Sequence, residues 1–135
     1  MFAFITVGTN NLKKSSDFYD QVLKILDIVK VDVNERYIGY VKEKKEKLIH
    51  KDGWVYADFY IMNPYNENEA TFGNGTMITF SIETPDKVNQ FHKKALELGA
   101  KNEGDPGPRH GEHYYAYFRD LDGNKICAFS INKSV

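Results

Sequence analysis

Apolar residues along the chain change spacing in a fixed order, and the order occurs twice. Residues Phe2 to Gly8 read as a strand. Asn10 and Asn11 follow as candidate helix caps, because an Asn oxygen accepts from the free N–H groups of a first turn. Leu12, Phe18, Val22, Leu23, Ile25 and Leu26 then recur at helical spacing. Three short strands are expected next, over Ile28 to Val33, Arg36 to Val41 and Val55 to Met62. The second round starts with a strand from Thr76 to Ile82. Thr84 caps a helix with Pro85 at its first position, Val88, Phe91, Ala95, Leu96 and Leu98 form its apolar face, and Gly99 ends it. Extended segments near Lys101, from His113 to Arg119 and from Lys125 to Ile131 complete the round, with Asp122-Gly123 as a hairpin turn between the last two.

A shift of 73 positions superposes the two rounds without a gap over strand and helix. Ile5 falls on Ile78, Thr6 on Thr79, Lys14 on Lys87, Phe18 on Phe91 and Leu23 on Leu96. Agreement of hydrophobic phase across both elements points to an internal duplication. The organisation expected is a module over 1–63, a polar, turn-rich linker over 64–75 and a second module over 76–135.

Composition narrows the function classes. With 18 basic and 19 acidic residues the net charge is −1, which offers no positive field for nucleic acid. Lys42 to Lys47 alternates signs and reads as a solvated turn rather than a phosphate patch. No apolar run approaches membrane-spanning length. The N-terminus is too short and polar for a signal segment, and the single cysteine, Cys127, fits a reducing compartment, so the location expected is the cytoplasm. Aromatics reach 14%, including nine Tyr, more than a core of this size needs. Some are expected to line a cavity, since Tyr combines an apolar body with a polar tip.

The opening ITVGTNNLKKSSDFYDQVLK, with Leu12, Ser15, Phe18 and Tyr19, resembles the first strand and helix of the glyoxalase/bleomycin resistance protein/dioxygenase (vicinal oxygen chelate) superfamily. GNGTMITFSIETPDKVNQFHKKALELGA resembles its second strand and helix. EGDPGPRHGEHYYAYFRDLDGNKICAF resembles its closing hairpin. The resemblance implies an α+β fold, two tandem βαβββ modules forming a cupped mixed sheet with helices outside. It also implies a homodimer and a small-molecule ligand in the cup. Metal-bearing members hold a divalent ion at four places that align here with Phe4, Met77, Cys127 and, loosely, Asp58. Phe cannot ligate, and Met is too soft for the harder divalent ions. The expectation is therefore a protein without the usual metal.

Strand parity assigns the candidate site. Ile5, Val7, Ile78, Phe80, Ile126 and Ala128 are expected to face the helices, leaving Phe4, Thr6, Met77, Thr79 and Cys127 on the concave side. His113, Tyr115, Tyr117 and Arg119 share one face of the closing strand. Trp54, Tyr56, Asp58 and Tyr60 alternate on one face of another, as a lining for an aromatic or cationic ligand or as core or dimer filling. Arg109 and His110 lie in a Pro-Gly-rich loop, Gly104 to Gly111, where Arg109 either grips a ligand carboxylate or phosphate or bonds nearby carbonyls. His92 is expected at the surface of its helix. For catalysis the candidates are His113 and Tyr115 as acid or base and Cys127 as a nucleophile that His113 would have to activate; a buried thiol acting as a small hydrophobe is the alternative. Three functions stay open: a metal-independent binder of a small organic ligand, a metal-dependent glyoxalase-type lyase, isomerase or dioxygenase using His113, Asp58 and Cys127, and a metal-free acid/base enzyme.

Overall fold

The computed structural model describes residues 1–133. The chain divides into two compact units, Met1–Thr71 and Phe72–Val135. Each unit is a four-stranded mixed sheet with one helix on one face.

In the first unit the elements run β1 (Ile5–Gly8), α1 (Leu12–Lys24), β2 (Ile28–Val33), β3 (Tyr37–Lys42) and β4 (Phe59–Met62). The sheet order is β1-β4-β3-β2, with β1 parallel to β4 and the other pairs antiparallel. Asn11, in extended backbone, caps α1 by accepting from the Lys14 N–H at 3.0 Å. Asn10 does not share this role. Its amide holds Ala70, accepting from the Ala70 N–H and donating to its carbonyl, which ties the end of the 64–71 segment back to the first unit. Phe18, Tyr19, Val22 and Leu23 of α1 are almost wholly buried, and Tyr19 packs on Phe59 with ring centroids 5.2 Å apart. Burial of each such side chain stabilises the unit by ~1.5–3 kcal/mol. The Tyr40 hydroxyl donates to Asp20 of the helix at 2.8 Å, and burial raises its pKa.

The second unit runs β5 (Ile78–Ser81), α2 (Pro85–Glu97), β6 (Lys101–Arg109), β7 (His113–Arg119) and β8 (Lys125–Ser130), in the sheet order β5-β8-β7-β6. Thr84 caps α2, with Pro85 beside it, and Gly99 leaves the helix at φ +103°. The repeat is kept to the residue: β1 and β5, α1 and α2, and the caps Asn11 and Thr84 are related by the one offset.

Three expectations require correction. The strand expected over Val55 to Met62 starts only at Phe59. Trp54 and Tyr56 precede it on an excursion held by a single bridge, Ile49 to Val55, so these residues do not alternate on one strand with Tyr60. The expected loop Gly104 to Gly111 is largely strand, since β6 pairs with β7 through to Arg109, with register shifts on both sides of Gly104 that absorb its Gly and Pro residues. His92 is not at the surface. It is 4% exposed, with Nε2 near Asn102 Oδ1 at 3.1 Å and the Tyr117 carbonyl at 3.2 Å, so it ties α2 to β6 and β7.

Candidate functional site

The helix-free face of the first sheet carries the richest chemistry. Parity holds on β1: Val7 is buried toward α1, whereas Phe4 and Thr6 are exposed on the other side. On β4, Phe59 and Ile61 go to the helix and Tyr60 and Met62 to the open face. Phe4, Thr6, Asp32, Tyr37, Trp54, Tyr56, Tyr60 and Met62 line an open hollow of about 280 Å³. Its rings make edge-on contacts, Phe4 to Tyr60 and Tyr37 to Tyr60 both at 5.4 Å, and Trp54 lies 4.4 Å from Tyr56. His50 stacks behind Trp54, also at 4.4 Å, and fixes the indole. Gly39 of β3 pairs with Tyr60, and a Cβ there would lie 2.7 Å from the Tyr60 ring and 2.6 Å from the Ala57 Cβ. A side chain at position 39 would displace the Tyr60 ring or Ala57.

Asp32 is the residue that alternation hides. Between Lys30 and Asp32 the β2–β3 register slips: Lys30 pairs with Tyr40, but Asp32 pairs with Gly39. Lys30 therefore faces α1, where it meets Asp20 at 2.9 Å, and the bulge turns Asp32 to the opposite face, into the hollow. Strict alternation would send Asp32 the way of Lys30. The Tyr60 hydroxyl accepts from the Ala57 N–H and interacts with the Asp32 carboxylate. Burial and then the Asp32 charge push the Tyr60 pKa up.

Asp58, expected beside Tyr60, turns elsewhere. Its two oxygens meet Lys45 Nζ at 2.8 and 2.9 Å, at the edge of a separate hollow under the 45–48 segment.

The second unit collects the other candidates on the helix-free face of β5, β7 and β8. Tyr117 pairs with Cys127, Thr79 with Cys127, and Tyr115 with Phe129. The Tyr115 and Tyr117 rings are nearly parallel at 6.1 Å, and Met77 is exposed just ahead of β5. Arg109 and Lys125 both lie over Tyr117, at 5.4 and 5.5 Å. Arg109 donates to the carbonyls of Asp105, Gly107 and Tyr115, so its hydrogens largely hold its own strand. His113 Nδ1 accepts from the Asn132 N–H at 3.0 Å, and its ring stands edge-on to Phe129. Cys127 is fully buried, and burial raises its pKa against smaller lowering effects from Thr79, Tyr117, Lys125 and Arg109. The activating partner the thiol would need from His113 is not among these groups.

A metal would require several hard or borderline donors converging on one point. Among the described residues no three His, Cys, Asp or Glu side chains are grouped so as to hold one. The donor set seen here does not fit such an ion.

A sequence model of the Glyoxalase/Bleomycin resistance protein/Dioxygenase superfamily matches residues 2–128. The chain belongs to this superfamily. Among solved structures, a glyoxalase/bleomycin resistance protein from Albidiferax ferrireducens T118 is 32% identical, with 98% of this chain and 99% of that one covered and a TM-score of 0.82. A glyoxalase-related enzyme from Fulvimarina pelagi is 17% identical over 97% and 88% of the two chains, with a TM-score of 0.71. A lactoylglutathione lyase from Agrobacterium tumefaciens is 12% identical over 96% and 92%, with a TM-score of 0.63. At those lower identities the superfamily likeness is one of fold. None of the curated proteins matches the chain.

Proposed function

We propose that this superfamily member binds a small organic ligand in the aromatic hollow of its first module, without a bound metal. The observation that carries the reading is the hollow itself: aromatic walls, held in place from behind by His50 and by the absence of a side chain at Gly39, around one carboxylate. Small-molecule sites have this composition, mostly apolar surface with few polar groups that orient the ligand. The hollow offers Asp32 as its carboxylate and neither His nor Cys, a poor set for a divalent ion. His113, Tyr115 and Cys127 remain the catalytic candidates should turnover be found. A cytoplasmic homodimer completes the proposal, supported by the lone cysteine and by exposed Phe2, Leu48 and Ile49.

Elemental analysis before and after a chelator, with ligand binding followed in both samples, tests this. No stoichiometric metal and unchanged binding are expected. A divalent ion removed together with binding would reverse the assignment in favour of a metal-dependent enzyme. Tyr37→Ala should weaken a ligand found by screening about tenfold, equivalent to about 1.4 kcal/mol.

A further inference from the structure

The hollow holds a negative charge with no positive one. Asp32 stands among Tyr37, Tyr56, Tyr60, Trp54 and Phe4, and among the described residues no Lys or Arg lines the space. The nearby cations are committed to other partners. Lys30 faces α1 and pairs with Asp20, Lys45 pairs with Asp58, and Arg36 donates to the carbonyls of Pro64 and Tyr65.

Aromatic faces carry the negative part of the ring quadrupole, so a ring of them attracts a cation, more strongly once water is displaced. A carboxylate among those faces adds a full charge of the same sign. An anionic ligand would meet repulsion from both. A neutral aromatic ligand would gain the apolar contact and leave Asp32 without a counter-charge, partly cut off from solvent. Binding a cation satisfies the carboxylate and the rings together. The bulge that brings Asp32 to this face has the same sense: it places a charge where simple alternation would not.

We infer that the first module's hollow selects an organic cation, an alkylammonium or other amine-bearing compound, whose charged head lies against Asp32 and the Tyr37, Tyr60 and Trp54 rings. This rests on the reading of the hollow as the ligand site and names the class of ligand it takes.

Trp54 is the single tryptophan and forms part of the wall, so its emission reports the hollow directly. The full chain is titrated with choline and with choline's neutral isostere, in which a tert-butyl group replaces the trimethylammonium. Choline should shift the Trp54 emission, with the isostere at least tenfold weaker. Asp32→Asn should remove most of that difference by weakening choline alone. Added salt should weaken choline and leave the isostere unchanged, a second test that does not depend on the variant folding. Equal binding of the two compounds, or a response to phenol with none to choline, would overturn the choice of a cation and leave the hollow as a binding site. No response to choline, isostere or phenol would overturn the hollow itself.

Discussion

Two glycines and a thiol decide much at the level of single residues. Gly39 and Gly104 each lie under a tyrosine ring of the neighbouring strand, where a Cβ would sit 2.7 Å from Tyr60 or 2.8 Å from Tyr117. Neither carries a positive φ, so the constraint is space and not backbone conformation. Gly39→Ala should destabilise the chain by ~1–3 kcal/mol, the usual effect of overpacking, visible as a lower thermal midpoint. It should also weaken ligand binding, because Tyr60 must move. Cys127 yields a prediction about pH. Its pKa is raised above the ordinary 9.0, mainly by burial. The folded chain thus binds the thiol proton more tightly than the unfolded one. The associated stability is complete below the ordinary value and declines as pH rises through it toward the folded value. Iodoacetamide labelling of the native protein should be slow at neutral pH and fast once denaturant is added. Rapid labelling at neutral pH would restore Cys127 as a nucleophile.

At the scale of elements, the helices were the most legible part of the sequence. Thr84-Pro85 and Gly99 bracket α2 with chemistry that has few other uses, and the structure follows it. Asn11 caps α1, and Asn11→Ala should cost about 1 kcal/mol in a denaturant titration. Of the adjacent pair of asparagines, sequence could not assign the roles: Asn10 holds Ala70, sixty residues away. The strands were less legible where the pairing is irregular. The run Trp54, Tyr56, Asp58, Tyr60 has perfect period-two spacing, yet β4 begins at Phe59. A pattern of side chains does not reveal whether a partner strand is present to pair with them. β6 shows the reverse: its Gly and Pro residues read as loop, and bulges accommodate them within a ladder.

For the molecule as a whole, the duplication was legible because hydrophobic phase survives where identity does not, and the offset between the halves holds for strand, cap and helix alike. The candidate site was legible only in part. Phe4, Thr6, Trp54, Tyr56 and Tyr60 do line one hollow, while Asp58 leaves it for Lys45 and Asp32 takes its place. The signal for Asp32 was a one-residue slip in pairing, which depends on β3 and has no trace in the sequence of β2 itself. His92 was missed for a related reason. It falls on the helix face that packs on β6 and β7, and its buried ring is affordable because Asn102 and the Tyr117 carbonyl supply partners.

Successive residues of β1 and β4 answer to different demands, one set held on the helix side and the intervening set turned to the open face. Such a strand can change at its exposed alternate positions while the helix-side positions stay as they are. Point changes at those positions can therefore alter what the open face binds while the helix-side set continues to hold the sheet.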